Sequence, residues 1–284
     1  MLLANNTKGI LFIISAVFCF SIMNGVTRHL SETYNVITLN MFRYWFFALT
    51  IILLSSKSRG NIIKISNSKK KYLQIFRGSL LAIQMCFAHY CFLKLGLIET
   101  SAILAIGPLF VTALAIIFLN ERVNFSRLIA IGLGFFGILI ILRPGLSVFD
   151  PMSYVALACA LAYASYQILT RFISSYDGAG TSFFYTGIAG AVILSLVGPF
   201  FYVNVNGYDW ILILSIAILG TSAHFFIIKA YQLSQASSLQ PFNYLPIVFN
   251  SFIGIIFFGE VIEVPVLIGS LIIIFAGLYT LKVK

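Results

Sequence analysis

About ten continuous apolar runs of roughly 18–22 residues divide this chain of 284, and nothing else in it limits the fold so strongly. Coiled at about 1.5 Å per residue, a run of that length matches the ~30 Å hydrocarbon thickness of a bilayer. A membrane barrel would instead need ~10-residue stretches alternating apolar and polar residues, and the runs here are continuous. Lipid offers the backbone no hydrogen bonds, so helices that satisfy their own N–H and C=O groups remain as the solution. Only 9% of the residues are charged, 60% are hydrophobic and the mean hydropathy is +1.02, which leaves too few polar groups to cover a water-facing surface. The expected class is an all-α membrane protein of ten transmembrane helices, with the lipid bilayer as its partner.

Clusters of Gly, Pro, Asn and charge punctuate the runs and place spans near 8–29, 36–55, 76–95, 99–119, 126–143, 152–173, 180–202, 209–230, 237–258 and 264–282. Met1 to Thr7 carries neither a charged lead-in to a short apolar segment nor a small-residue cleavage site, so the first span is expected to stay as a helix. The formal net charge of +10 is a topology signal and not a nucleic-acid footprint. Between Ser55 and Lys71 lie Lys57, Arg59, Lys64, Lys69, Lys70 and Lys71 with no acid, which marks that connection as cytoplasmic. With both termini cytoplasmic as well, fourteen of eighteen basic residues fall inside; Arg28, Lys94 and Arg143 fall outside, and Arg43 lies within a span. The expected location is a bacterial inner membrane. Cys19, Cys86, Cys91 and Cys159 all sit in apolar runs without a CxxC, so they read as packing residues; no metal site or cofactor is expected.

The chain also resembles itself. Phe20 to Arg28 aligns with Tyr163 to Arg171, both ending in Thr-Arg with an amide three positions before the threonine. His89 and Lys94 recur as His224 and Lys229, Pro108 and Glu121 as Pro246 and Glu260, and Phe135-Phe136-Gly137 as Phe275-Ala276-Gly277. These matches divide the chain into residues 1–146 and 147–284, two five-helix repeats. Because five is odd, the second enters the membrane from the opposite side, so the repeats are inverted.

The stretch Ala102 to Arg122, with Gly107-Pro108 and Asn120-Glu121-Arg122, followed by Gly132-Leu-Gly-Phe-Phe-Gly137, resembles the fourth and fifth helices of the EamA type of the drug/metabolite transporter superfamily. Phe42-Arg43-Tyr-Trp-Phe-Phe-Ala48 in span two is similar to it too. The resemblance covers essentially the whole chain. It implies ten helices, cytoplasmic ends and a central cavity lined by spans from both halves. The Arg77-Gly78 opening of span three resembles the S-adenosylmethionine uptake carriers within that superfamily.

An ionisable residue inside the membrane is expensive and is a functional candidate for that reason. All eight acids sit in loops or at span ends, which argues against a mid-membrane carboxylate relay. Arg43 lies seven residues into span two, about 10 Å deep. Two readings are open for it: snorkelling to the headgroups, or holding a carboxylate or phosphate of a solute. His89 and His224 either bind solute and pass protons or satisfy a neighbouring carbonyl. The amides Asn24, Gln84 and Gln167 serve as solute partners or as interhelical links. Span nine crowds Pro241, Asn243, Tyr244, Pro246 and Asn250 together, and a helix interrupted that way can line a site and flex; Pro108 matches it in the other half. Tyr163, Tyr166 and Tyr185 would give a cavity aromatic bodies with polar tips. Glu121 and Glu260 are read as structural, and the seam Gly132, Gly134, Gly137 as a close helix approach.

No Walker, HExxH or Ser/His/Asp pattern points to catalysis. The leading class is a secondary transporter moving a small polar or amphipathic metabolite, such as an amino acid or S-adenosylmethionine, by alternating access. The alternatives are an intramembrane enzyme acting on a lipid headgroup and a non-catalytic membrane scaffold.

Overall fold

The computed structural model describes residues 2–56, 61–119, 125–143, 150–234 and 239–282. Eleven helices are described: α1 Leu2–Ser31, α2 Val36–Ser56, α3 Asn61–Ser66, α4 Lys71–Leu104, α5 Gly107–Leu119, α6 Phe125–Leu142, α7 Met152–Ile173, α8 Ala179–Val197, α9 Asp209–Leu233, α10 Leu245–Phe258 and α11 Val264–Lys282. Short 3₁₀ turns at Gly198–Phe201 and Gln240–Tyr244 extend α8 and precede α10. No strand occurs among the described residues.

Six helical segments are long and apolar enough to cross a membrane: Thr7–Ser31, Val36–Leu53, Lys71–Leu104, Met152–Ile173, Ala179–Phe201 and Asp209–Leu233. Four shorter apolar helices accompany them at Gly107–Phe118, Gly132–Leu142, Phe242–Phe258 and Val264–Ala276. The distribution of side chains is that of a protein solvated by lipid. Large apolar groups such as Phe118, Phe136, Phe252 and Phe257 point outward, while Arg43, Arg77, Gln84, His89 and Asn250 are buried.

Local chemistry sets several ends. Asn35 Oδ1 accepts the Ile37 N–H (2.9 Å) where α2 begins, and Asp150 Oδ1 accepts the Met152 N–H (2.7 Å) at the start of α7. Elsewhere the expected boundaries need correction. Span four, expected as one helix over 99–119, is two pieces. Gly96, at φ +86°, kinks α4; the chain stays helical to Leu104, breaks at Ala105–Ile106, and restarts at Gly107. Pro108 and Pro246 therefore do not bend continuous helices. Each sits in the first turn of its helix, α5 or α10, where the missing N–H costs nothing.

The helices pack in matched sets. α1 lies along α9 and α4 along α7; α1 meets α10 and α7 meets α5; α2 packs on α8 and α9, α4 on α8, and α6 on α11. The α6–α11 contact is a backbone approach, because a Cβ on Gly137 would lie 2.9 Å from Gly269 O and one on Gly269 2.6 Å from Gly137 O. That accounts for Gly137 in the glycine seam. Gly134 instead makes room for Leu109, and Gly132 has no close neighbour.

Candidate functional site

A central cavity opens where α1, α4, α5, α7, α9 and α10 converge. About 920 Å³ of space there is free of protein atoms, its open edges included. Its polar wall is Asn24, Gln84, His89, Ser101, Tyr163, Gln167, Asn243 and Asn250, and Phe20, Phe92 and Tyr163 supply rings. Pro108 and Pro246 border it, together with Gly107 and Ala105 at the break in span four. Among the described residues, no Asp, Glu, Lys or Arg belongs to this wall.

The wall is braced from behind. Gln167 Oε1 accepts from the Tyr231 hydroxyl (2.6 Å), and Tyr163 stacks on Tyr166 at 5.9 Å between ring centroids. Asn250 Nδ2 donates to Ser101 Oγ (2.8 Å), linking α10 to the short helical piece beyond Gly96. Asn40 Nδ2 reaches both Val36 O (2.8 Å) and His89 Nδ1 (3.0 Å). An amide NH₂ only donates, so with this assigned orientation Nδ1 accepts and the His89 proton sits on Nε2. Further protonation of His89 would break the Asn40 contact, which makes a neutral hydrogen-bonding role fit better than proton relay.

Four other expected residues lie outside the wall. Arg43 neither snorkels nor faces the cavity. It is 2% exposed, with Nη1 3.4 Å from Met23 Sδ and its guanidinium carbon 4.9 Å from the centre of the Tyr44 ring, while Nη2 has no described partner. Gly220 makes its space, since a Cβ there would lie 2.9 Å from Arg43 Cδ. His224 is packed edge-on to Phe20 and stacked on Phe47, at 5.1 and 5.8 Å. The Tyr185 hydroxyl donates to Ser66 O (2.7 Å), tying α8 to α3. Tyr244 is buried among Cys91, Ile98 and Ile106. The side chain of Pro241 lies outside the described residues, as does Glu121.

Two charged centres outside the cavity wall tie distant parts of the chain together. Arg77 is fully buried, and its guanidinium donates to Thr170 Oγ1 (2.8 Å), Gln74 Oε1 (3.0 Å), Ser182 O (2.7 Å) and Thr186 Oγ1 (2.8 Å). Gln74 passes the contact on to Asp177 Oδ2 (2.9 Å), which also takes the Ser68 hydroxyl, while Oδ1 accepts the Lys69 N–H. Burial pushes the Asp177 carboxyl up, but the bonds from Ser68, Gln74 and Lys69, with the charge of Lys69, hold it below its ordinary value. The second centre is Glu260, which pairs with Arg28 and accepts backbone N–H groups of α4, in keeping with the structural role expected for it.

Apolar helices that close around a largely apolar cavity set with amides and rings have the architecture of a polytopic membrane transporter. The chain belongs to the EamA-like transporter family, which matches residues 7–143 and again 151–281. It is 25% identical to an S-adenosylmethionine uptake transporter of Rickettsia felis, over 89% of this chain and 85% of that one. It is 27% identical to a riboflavin transporter of Vibrio cholerae, over 94% and 90% of the two chains. A pseudopaline exporter of Pseudomonas aeruginosa is 24% identical, over 98% and 97%. A crystal structure of a protein 15% identical superposes with a TM-score of 0.68 over 96% of either chain, which establishes the fold alone.

Proposed function

We propose that this transporter carries an amphipathic metabolite bearing a planar hydrogen-bonding ring across a bacterial inner membrane, by alternating access between two inverted five-helix repeats with both termini cytoplasmic. The observation that carries the reading is the cavity wall: five amides, the hydroxyls of Ser101 and Tyr163, a neutral histidine and three aromatic rings, with no ionised side chain among the described residues. Such a wall selects by hydrogen-bond pattern and stacking, not by ion pairing. The solutes named for two relatives, S-adenosylmethionine and riboflavin, each contain a fused heterocycle of this kind.

The packing supports the repeats. Exchanging residues 1–146 with 147–284 turns the α1–α9 contact into α7–α4, α1–α10 into α7–α5, and α2–α9 into α8–α4, and all of these pairs occur. In the register that matches Lys94 to Lys229, each half breaks soon afterwards: Gly96 kinks α4, and α9 ends at Ser234 with extended backbone. Arg171, the counterpart of Arg28, donates to Tyr231 O (3.2 Å) just before that second break.

The deciding experiment is uptake into proteoliposomes of labelled S-adenosylmethionine, riboflavin, a neutral amino acid and succinate. A ring-bearing solute should be taken up in preference to succinate, and Gln84→Leu or Asn250→Leu should raise its half-saturation concentration about tenfold, one or two lost hydrogen bonds. Preferential uptake of succinate, or indifference to both substitutions, would refute the reading. Orientation is tested separately by placing a cysteine at Lys69, in the basic connection that holds α3. It should be protected from an impermeant thiol reagent in intact cells; labelling from outside would invert the topology.

A further inference from the structure

Gly259 ends α10 in the left-handed conformation, φ +63°, and the turn aims the next side chain, Glu260, back at the kink in α4. There Gly96 has interrupted the helix, so the first amides of the piece Leu97–Leu104 lack carbonyl partners within their own helix. Glu260 supplies them: Oε1 accepts the Leu97 N–H and Oε2 the Ile98 N–H, each at 2.8 Å. A carboxylate at a helix N-terminus is also favoured by the helix dipole. The fit is close, because a Cβ on Gly96 would lie 2.9 Å from Oε1 and one on Gly254 2.8 Å from Oε2. Arg28 of α1 completes the arrangement, ion-paired to Glu260 and set over the Phe258 ring at 4.1 Å.

This cap comes from more than 160 residues away in the chain, and it joins α1, α4 and α10 at one point. The Arg28 and Glu260 side chains are 16% and 13% exposed, so water can reach the pair and replace its bonds when it separates. The other end of the capped piece is the cavity wall. Ser101, Leu104 and Ala105 line it, and Ser101 is bonded to Asn250 of α10. A rigid segment of two turns thus has one end in the solute site and the other under a releasable acid. Local helix capping needs no residue from the opposite half; a barrier that must open and reseal does.

We propose that Glu260 is the release point of the outer barrier: held by Arg28 and the two amides it keeps the cavity shut on that side, and its release lets Leu97–Leu104 move and open the cavity outward. The inference rests on the alternating-access reading and on its orientation. Its readout is therefore labelling, which needs no solute. Leu104→Cys and Ala105→Cys are treated with a charged, impermeant methanethiosulfonate in right-side-out and inside-out vesicles, against the background of the native cysteines measured in parallel. Adding Glu260→Gln or Arg28→Gln should raise labelling from the outside about tenfold and lower it from the inside, as a shifted two-state equilibrium requires. Bridging Arg28→Cys to Glu260→Cys with a short dithiol-reactive linker should return external labelling to the unmodified rate or below. A rise on both faces would mean that Glu260 only holds the fold, and unchanged labelling in both glutamine variants would equally overturn the proposal. The same opposite changes with the faces reversed would support the release point and overturn the assigned orientation instead.

Discussion

Arg77→Leu is expected to cost on the order of 3–5 kcal/mol of stability. The side chain is fully buried and joins three helices: α4 carries it, Thr170 belongs to α7, and Ser182 and Thr186 belong to α8. Both threonine hydroxyls already donate to carbonyls one turn back, Thr170 to Tyr166 O (2.7 Å) and Thr186 to Ser182 O (2.8 Å). What they offer Arg77 is lone pairs, which no residue without donors can use. Leucine would also strand the Gln74 carbonyl oxygen and cut the chain of bonds to Asp177. Arg77→Lys separates charge from geometry, since an ammonium keeps the charge but cannot span four acceptors in a fixed fork. It should fall between wild type and leucine. The check is thermal unfolding in detergent followed by reaction of the buried Cys91 and Cys159 thiols. Wild-type midpoints for both variants would remove Arg77 from any structural role.

Arg77 also shows why part of the site could not be read from sequence. It follows the six bases of an acid-free connection and sits at the start of an apolar run, so it looks like one more topology marker. Its burial depends on Thr170, Ser182 and Thr186, about a hundred residues away, and no local pattern signals that meeting. Ser101 was invisible for a related reason, because a serine inside an apolar run commonly bonds to its own helix. Asn24, Gln84, Tyr163, Gln167 and Asn243 were legible. A polar side chain on a lipid-solvated helix has to turn inward, so their presence in long apolar runs was enough.

Direction was harder than depth. Arg43 is buried within the protein, yet it packs between Met23, Tyr44 and Gly220, because a glycine on α9 opens that side and not the cavity side. His89 and His224 recur at matched places in sequence, and only His89 reaches the cavity. The two histidines meet different neighbours, so equivalence in sequence does not carry equal exposure with it. The long helices α1, α2, α7, α8 and α9 follow the apolar runs closely. The broken span four does not, since Gly96 and the Ala105–Ile106 break are stabilised by Glu260 and by the cavity, partners from elsewhere in the chain.

If transport passes through the described cavity, filling it should stop transport without unfolding the protein. Ala88 on α4 and Ala160 on α7 face each other's helix, are 4% and 2% exposed, and border the open space. In a close-packed core, a phenylalanine in place of alanine forces neighbours off their rotamers at a cost of about 1–3 kcal/mol. Beside an open cavity the ring has somewhere to go. Ala160→Phe and Ala88→Phe should therefore unfold near the wild-type temperature while uptake falls at least about tenfold, equal to ~1.4 kcal/mol of lost binding. Ala156 provides the contrast. It lies one turn earlier on α7 and is fully buried in the same apolar core as Ala160, with Ile103 and Ile138, but unlike Ala160 it does not line the cavity. Ala156→Phe should be destabilised, and whatever folded fraction remains should transport. The two positions differ by four residues on one helix, so the pair distinguishes loss of space from general damage to α7. The measurements are uptake per folded molecule in proteoliposomes, using whichever solute is carried, and the unfolding midpoint of each variant. Wild-type uptake by Ala160→Phe with an intact fold would mean that solute takes another route, and the amide-lined cavity would then lose its claim to be the transport site.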